Sequence, residues 1–472
     1  MRRADSSHSQ PARAVRPAAD DRRSDSPAAS AAIPIRSAAQ AASPNPSTTV
    51  THAEEGDQFA ILRLMRHGRF PGSENDLHSQ QERPGYHPRQ RLVCRRGKEL
   101  VGHIHCIPRD GWIGGESTRL IQASQLVLAP EHPADTIAGP LLSGIDRVLQ
   151  ASQCPLVVYR ANPGTAQLLL NYGWTPLSPA SISVAPTERI LASLQHPVEE
   201  PHPLASQAKV NAPLSIRLMR QVEVEALISI YDQFQQRHQL GTRRDQALWR
   251  WLLRRKAFEC LYVAMTGGNK PALEDATRRI VGYAVVKDRR ILELVTNPEA
   301  DHARAPLFAR ICGDLYEADR REVEFNNPAS DPLHPLIRAA QTESPPRPFE
   351  QVLVRMHDPL KWLAEMGPRL HARAKGAGLS LPLDLGLLIG EEKYALHLTS
   401  RRAILTDGKL GRSYLGLDLG QLVRLMLGDL CLKTALAREQ ITASTQLAQT
   451  VAETLFPYQP PWFPPLEDLP VA

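Results

Sequence analysis

The stretch from Leu120 to Leu142 constrains the fold of this chain most, because its pattern predicts a buried strand that runs directly into a helix. Apolar residues dominate up to Leu128, and Pro130 and Pro133 then end the strand in a short loop. The apolar positions beyond the loop recur at helical spacing, namely Ile137, Leu141, Leu142, Ile145 and Leu149. Such a helix N-terminus can hold a phosphate group on its free N–H groups, or the joint can simply pack, and the residues leave both alternatives open.

The same stretch resembles the acyl-CoA-binding strand, loop and helix of the GNAT acetyltransferase superfamily. Pro130-Glu131 matches the family's pattern, Ile137 and Ala138 fit it, and Leu141-Leu142 sets its register. The resemblance implies a mixed-sheet fold and binding of acetyl-CoA as co-substrate, without a metal. It implies contacts to that co-substrate from Leu126, Val127, Leu128, Ala134, Asp135, Thr136, Ile137, Ala138, Gly139 and Asn162.

The loop before the helix departs from the family's pattern at two positions. Pro133 replaces an Arg or Gln and removes an N–H donor. Thr136 replaces a glycine and adds a β-branched side chain where the backbone should approach the pyrophosphate closely. Both changes weaken the predicted cofactor loop more than the predicted fold.

The run that ends in Gly173-Trp174 is similar to the family's Phe-Tyr-x-x-x-Gly-Phe close. Leu169 occupies the place of the tyrosine that often acts as general acid, and leucine cannot donate a proton. Tyr172 and Tyr159 are the substitutes nearby, and the alternative for each is a packed core tyrosine. Tyr172 is the catalytic candidate.

A general base is expected among Glu116, His103 and His105, on the strands that approach the site. The two histidines are two residues apart and therefore share one sheet face, but no third ligand is evident for a metal. Glu116 and His105 are the catalytic candidates. The resemblance also implies that the chain's terminal carboxylate, on Ala472, can serve as base, the alternative being a terminus that frays in solvent.

The order of patterns along the chain predicts an α+β protein with several domains, as its 472 residues require. It resembles the Eis (enhanced intracellular survival) acetyltransferases, with two tandem GNAT-like mixed-sheet domains followed by a sterol-carrier-protein-like α/β sandwich domain. The second GNAT-like unit has no glycine between Pro298 and Leu307, so we expect it to be structural, with Asp301, His302 and Arg304 solvated. The expected boundaries are 1–52 for a disordered basic tail, 53–188 for the first domain, 189–212 for a linker, 213–355 for the second domain and 356–472 for the third.

Composition indicates the expected compartment and partners of the protein. Six scattered cysteines without a Cys-x-x-Cys pair suit a reducing cytoplasm. No apolar run is long enough to span a membrane, and the net charge of +6 includes no basic run interleaved with aromatics, so neither membrane nor nucleic acid is an expected partner. The family's members often form oligomers, so a homo-oligomer is a further expectation.

Two hypotheses follow for the function. The first is an acetyl-CoA-dependent N-acetyltransferase that acts on a primary amine of a small molecule or of a protein lysine. The second is a catalytically inactive scaffold that binds an apolar ligand or a partner. The altered residues Pro133, Thr136 and Leu169 motivate the second.

Overall fold

The computed structural model describes residues 48–68, 74–178, 181–195, 214–267, 279–328, 330–341, 347–348 and 350–469. Ala472 and residues 1–47 of the predicted tail lie outside this range. The predicted tail extended too far, because Thr48–His52 forms a strand that pairs with Arg91–Arg96. The predicted linker began too early, because a helix runs to Gln195.

The described strands and helices alternate through two similar repeats and a third region. The strands are β1 (Thr48–His52), β2 (Arg91–Arg96), β3 (Glu99–Ile113), β4 (Glu116–Leu128), β5 (Leu156–Ala161), β6 (Thr175–Pro176), β7 (Ser181–Pro186), β8 (Leu214–Leu218), β9 (Leu240–Thr242), β10 (Cys260–Thr266), β11 (Ile280–Lys287), β12 (Arg290–Thr296), β13 (Glu322–Phe325), β14 (Arg347–Pro348), β15 (Gln351–Met356), β16 (Leu383–Ile389), β17 (Glu392–Leu398), β18 (Ala403–Asp407), β19 (Tyr414–Leu417) and β20 (Thr442–Ala443). The helices are α1 (Gln58–His67), α2 (Glu74–Gln81), α3 (Ala134–Ser152), α4 (Pro163–Asn171), α5 (Thr187–Gln195), α6 (Val224–Gln235), α7 (Gln246–Arg255), α8 (Arg304–Glu317), α9 (Leu333–Ala340), α10 (Pro359–Glu365), α11 (Gly367–Gly376), α12 (Leu419–Met426), α13 (Leu432–Ala437) and α14 (Gln446–Leu455).

The first sheet has the order β1-β2-β3-β4-β5-β15-β6, and β9 also pairs with β3. β2 and β3 form a hairpin around Gly97, which sits at a φ of +61°, where a side chain would be strained. The apolar spacing predicted after Pro133 produces α3, whose residues Ile137, Leu141 and Ile145 are buried. The central strand and helix of the sequence pattern therefore form as expected.

The second sheet repeats this order as β8-β10-β11-β12-β13-β7-β14. Each repeat gives one strand to the other: β7 of the first pairs with β13, and β15 of the second pairs with β5. The sheets therefore do not follow contiguous stretches of sequence, and this exchange fastens the two repeats together through backbone hydrogen bonds.

The third region contains a five-stranded sheet of order β18-β17-β16-β19-β20 with helices α10–α14. Its buried leucines share one apolar cluster with Leu156, Val158 and Val354 of the first sheet. The short helix α10 ends just before Gly367-Pro368, where the sequence predicts its end, and the same two residues begin α11, since proline fits the first turn of a helix. Likeness of this region to sterol carrier proteins stays a prediction.

The proline-rich C-terminal segment, residues 457–469, is docked rather than free. Several side chains donate to its backbone carbonyl groups: Arg160 to Phe463, Arg255 to Glu467 at 2.9 Å, and His238 Nδ1 lies 2.9 Å from Pro460 O. No helix in the described part of the chain is long and apolar enough to cross a membrane.

Candidate active site

The first sheet opens in its middle, between β4 and β5. The two parallel strands pair at Ile121, Gln122 and Ala123, and the pairing stops there although β4 continues to Leu128. The backbone groups of β4 beyond Ala123 must therefore find other partners or a ligand. This divergence is the first element of the candidate site.

A β-bulge lies directly beyond the last parallel pair. His103 faces Val127 and His105 faces Ser124, so β4 carries one extra residue. Gln125 absorbs it with a φ of +54°, an uncommon backbone conformation for a residue with a side chain. Bulges of this kind redirect backbone groups and are frequent beside functional sites.

The hydroxyl of Tyr159 occupies the opening. It accepts a hydrogen bond from the Leu126 N–H at 3.0 Å. Tyr159 is 5% exposed and packs edge-on against Trp174, and its burial raises the pKa of its phenol. Among the predicted backbone donors Leu126, Val127 and Leu128, Leu126 thus already has a partner within the fold.

The predicted cofactor loop is covered by Tyr172. Its hydroxyl donates to the backbone oxygen of Asp135 at 3.3 Å, and a Cβ built on Gly139 would lie 3.4 Å from its ring. Gly139 therefore makes room for a tyrosine. Partial burial and the Asp135 carboxylate raise the pKa of Tyr172.

The first turn of α3 has no side-chain cap, because Pro133 stands at the N-cap position. Thr136 Oγ donates to the Pro133 carbonyl at 2.7 Å. Ala134 and Asp135 are exposed and have no acceptor within the helix for their N–H groups, whereas Ile137 and Ala138 are buried and their N–H groups belong to the helical hydrogen bonds. The turn thus keeps N–H donors for an anion, but it also carries the negative charge of Asp135.

The structure does not gather the remaining predicted residues. Glu116 is exposed at the start of β4, and the strand rises roughly 30 Å from there to Leu126. Asn162 caps α4, its Oδ1 accepting from Thr165 N at 2.9 Å. Ala472 lies outside the described residues.

His105 lies on β3 opposite the bulge and is fully buried. Burial, with the positive charge of Arg91 beside it, holds the pKa of His105 well below its usual range. His105 is therefore neutral near pH 7 and a weak base. His103, two residues earlier on the same face, has its pKa lowered in the same way.

The carboxylate of Asp468, which the sequence patterns did not single out, lies at the opening. Gln122 Nε2 donates to Asp468 Oδ1 at 3.1 Å, and Arg160 Nε lies 3.5 Å from Asp468 Oδ2. These three residues line a cavity of about 20 Å³ together with Phe463 and others. Burial raises the pKa of Asp468, and Arg160 opposes that shift. The acidic pair Glu467-Asp468 in a proline-stiffened segment was the signal that could have revealed it.

Glu467 holds that segment in place. Arg83 Nη2 lies 2.6 Å from its carboxylate, Arg109 contacts it as well, and Arg244 Nε donates to it at 3.1 Å. Burial acts to raise the pKa of Glu467, but these arginines outweigh it and hold the pKa far below its usual range. Since Arg244 belongs to the second repeat, one carboxylate fastens both repeats to the C-terminal segment and so positions Asp468.

The second repeat has the same opening but fills it with its own side chains. Asn327 Oδ1 accepts from Leu294 N at 3.1 Å, and its Nδ2 donates to Leu294 O at 2.8 Å. Arg304, at the start of α8, donates to Asp331 at 2.6 Å and to Thr296 at 2.9 Å. Arg304 is 2% exposed, so the expectation that it is solvated was wrong.

The geometry of the first repeat therefore suits a reaction at the opening. It combines a carboxylate with a raised pKa, a buried phenol, and a helix N-terminus beyond the end of β4. A carboxylate of this kind can accept a proton and a phenol can donate one. Within the described residues, no group of three or more His, Cys, Asp and Glu side chains is placed to hold a metal ion.

The whole fold matches solved structures. A GCN5-related N-acetyltransferase from Anabaena variabilis ATCC 29413 is similar over 88% of this chain and 98% of its own, with 19% identity and a TM-score of 0.63. One from Kribbella flavida is similar over 87% and 95%, with 15% identity and a TM-score of 0.58. Eis1 from Mycobacterium abscessus is similar over 88% and 98%, with 14% identity and a TM-score of 0.57. No sequence family and no curated protein match the chain. At these identities the likeness shows the fold alone, and the predicted α+β class with several mixed sheets is confirmed.

Proposed function

We propose that this chain is an N-acyltransferase that moves an acetyl group from acetyl-CoA to a primary amine. The observation that carries the proposal is the opening between β4 and β5, with its bulge at Gln125, in a fold shared with GCN5-related N-acetyltransferases. The amine nitrogen attacks the thioester carbonyl carbon, the carbon–sulfur bond breaks, the amine loses a proton and the CoA thiolate gains one.

In this proposal the co-substrate lies along the end of β4 and reaches α3. The backbone from Leu126 to Leu128 would contact the acyl and pantetheine parts. The N–H groups of Ala134 and Asp135 at the start of α3 would face the pyrophosphate, with Thr136, Ile137, Ala138 and Gly139 lining its approach once Tyr172 turns away from Gly139. Asn162 would keep its capping role at α4, so we assign it no contact.

Asp468 is the general base that the geometry favours. Its carboxylate lines the cavity at the opening, and its raised pKa makes it a stronger base than an ordinary aspartate. His105 is the second candidate. The carboxylate of Ala472 remains a proposal from the family resemblance.

Two tyrosines are candidates for the proton donor to the leaving thiolate. Tyr159 lies in the opening itself, whereas Tyr172 lies against the first turn of α3. The thioester must meet the amine near the Asp468 cavity. Gln122, which lines this cavity, directly precedes Ala123, and Ala123 pairs with Tyr159. We therefore propose Tyr159 as the donor and Tyr172 as a cover that the pyrophosphate displaces.

Calorimetric titration of the full-length chain with acetyl-CoA tests the binding step. Micromolar binding is expected, and a screen of amines with detection of free CoA thiol then tests transfer. No binding at millimolar acetyl-CoA would contradict the proposal. Desulfo-CoA and adenosine monophosphate serve as controls for binding through the nucleotide alone.

A second candidate function is an inactive scaffold that binds a partner or an apolar ligand. The contact of Tyr172 with Asp135 and Gly139 favours it, because it closes the predicted cofactor loop. The variant Tyr172→Ala distinguishes the two. If acetyl-CoA binds neither the wild type nor this variant, the scaffold is the better explanation.

A further inference from the structure

Arg91 is a buried guanidinium whose described contacts are all uncharged. It is 2% exposed at the start of β2. Nη1 donates to Gln125 Oε1 at 2.9 Å and lies 2.9 Å from His103 Nε2, and Nε donates to Tyr86 Oη at 3.2 Å. Nη2 has no hydrogen-bond partner among the described residues. A buried charge in such surroundings is costly unless something neutralises it.

Several other buried arginines of this protein have carboxylate partners, whereas Arg255 donates to backbone carbonyl groups of the C-terminal segment. Arg244 forms two hydrogen bonds with Glu293, at 2.8 and 2.9 Å. Arg304 pairs with Asp331 at 2.6 Å, and Arg83 pairs with Glu467 at 2.6 Å. Arg91 differs from these three arginines because its hydrogen-bond partners are all neutral side chains.

The two repeats show what is missing beside Arg91. Gln125 and Glu293 are each the second residue after the last parallel pair of their strand, although Gln125 lies within its bulge and Glu293 pairs with Val285. Glu293 neutralises the guanidinium of Arg244, whereas Gln125 offers Arg91 a neutral amide. In the first repeat a buried arginine thus contacts an amide on β4, whereas in the second a buried arginine contacts a carboxylate on β12.

A cavity adjoins this guanidinium. It measures about 10 Å³, room for one water-sized group, and its lining includes Arg91, Tyr86, Gln58 and Glu54. His105 lies directly opposite Arg91 across the β2–β3 pair, and neither of its ring nitrogens has a hydrogen-bond partner within the described ranges. Two buried polar side chains with unused nitrogens thus lie side by side next to the bulge.

We propose that Arg91 binds a carboxylate of the acceptor, so that the acceptor is an amino-acid-type amine with its carboxylate close to its amino group. The closeness follows from Gln125, which contacts Arg91 and forms the bulge where acyl transfer is proposed. One carboxylate oxygen fills the cavity and accepts from Nη2, with the imidazole of His105 alongside. The acceptor role rests on the proposed function, whereas the carboxylate site does not.

The first experiment needs no variant. Unfolding midpoints of the full-length chain are measured with N-acetylglycine, N-acetylglycinamide and chloride, each at constant ionic strength. N-acetylglycine should raise Tm saturably, and the amide should bind at least about tenfold more weakly, because it lacks the charge that Arg91 recognises. Equal effects of acid and amide would overturn the inference. An equal saturable effect of chloride, with nothing added by N-acetylglycine, would mean an adventitious ion only and would overturn it too.

Gln125→Glu is the sharpest variant, because it supplies the carboxylate that Glu293 supplies in the second repeat. It should raise Tm without ligand and abolish the response to N-acetylglycine. Arg91→Lys should keep the charge but weaken N-acetylglycine binding by about tenfold, since an ammonium cannot form the two-armed contact. An unchanged response to N-acetylglycine in both variants would contradict the assignment.

Glu54→Gln is the matched control at the rim of the same cavity. It should shift Tm by no more than about 2 °C and leave N-acetylglycine binding intact. A large loss of stability in this variant would mean that Glu54 neutralises Arg91 in solution, which would overturn the inference.

Acetyl-CoA titration on the same preparation separates the two proposals. Acetyl-CoA binding without a preference for carboxylates would overturn this inference and leave the proposed function standing. Carboxylate binding through Arg91 without acetyl-CoA binding would support the site and remove its role in acyl transfer.

Discussion

The first and second repeats open at the same place but differ in what occupies the opening. In both, the last parallel pair is followed at once by a bulge, after Ala123 in one and after Ile291 in the other. Leu126 and Leu294 are each the third residue beyond that pair. The N–H of Leu126 donates to the hydroxyl of Tyr159, while Asn327 takes both the N–H and the carbonyl of Leu294.

The difference teaches how a repeat of this kind becomes structural. In the second repeat Asn327, Asp331 and Arg304 hydrogen-bond to one another and to the backbone, and Arg304 has a carboxylate partner, although its Nε has no hydrogen-bond partner among the described residues. In the first repeat a small cavity remains beside Asp468, and Arg91 lacks a carboxylate. A buried network that pairs its charges rigidifies a fold, whereas a buried charge without an opposite charge favours a ligand that neutralises it.

The largest expected effect is on kcat/KM, and it distinguishes Asp468 of the first opening from Asp331 of the second. Asp468→Asn should lower kcat/KM by about a hundredfold to ten-thousandfold, because it removes the general base. Asp331→Asn is the matched change in the second repeat and should leave kcat/KM of the folded protein unchanged. Steady-state release of CoA thiol, with an amine found in the acceptor screen, measures both. Equal losses of kcat/KM in the two variants would show that Asp468 has no catalytic role that Asp331 lacks.

The pH dependence of activity in the wild type and in Asp468→Asn tests the same general base. Burial raises the pKa of Asp468, so its carboxyl stays protonated to a higher pH than an ordinary aspartate. Activity should rise with pH as this group loses its proton and then level off. The inflection should lie above the usual aspartate range, and it should vanish in Asp468→Asn. A profile that keeps this inflection in the variant would point to another base.

The next effect concerns stability. Arg304→Met should lower the free energy of unfolding by about 3–5 kcal/mol, because it leaves Asp331 buried with its main cationic partner gone. Urea denaturation of the full chain measures it. Arg310→Met, whose side chain is 55% exposed on the same helix, is the control and should change stability by less than about 1 kcal/mol. A loss below about 1 kcal/mol in Arg304→Met would mean that the second opening is not held by this network.

A smaller effect is expected from the hydroxyl of Tyr159. Tyr159→Phe should lower the free energy of unfolding by about 0.5–1.5 kcal/mol, the usual value of one hydrogen bond, because Leu126 N–H loses its acceptor. If Tyr159 is the proton donor, kcat also falls, and more so for poor leaving thiols. Tyr172→Phe serves as the comparison and should affect acetyl-CoA binding more than kcat.

The smallest expected effect lies at the helix that follows each opening. Asp135→Asn removes a negative charge from the first turn of α3 and should tighten acetyl-CoA binding by a few-fold, equivalent to about 0.3–1 kcal/mol. Glu299→Gln, at the corresponding turn of the second repeat, should leave binding unchanged. Calorimetry at low and high salt checks both, and the gain in Asp135→Asn should shrink as salt rises.

Much of the fold could be read from local pattern. The apolar run before Pro130 became β4, and the spacing from Ile137 became α3, because burial of one face decides both periods. The candidate site could be read only in part. Tyr172 and Gly139 were singled out as separate functional residues, yet they touch each other. The sequence puts Glu116 on a strand that approaches the site, but in the structure it lies at the opposite end of β4 from Leu126.

The sequence by itself determined the local elements and the order of the two repeats, since helix and strand periods depend on near neighbours along the chain. Only the tertiary structure decided that β7 and β15 exchange sheets, because backbone pairing between distant strands leaves no mark in either strand's own pattern. It also decided that Asp468 meets Gln122 across 346 positions and that Arg91 meets an amide where Arg244 meets a carboxylate. The sequence gives the charge of each side chain, but only the folded structure shows which distant residue neutralises that charge when it is buried.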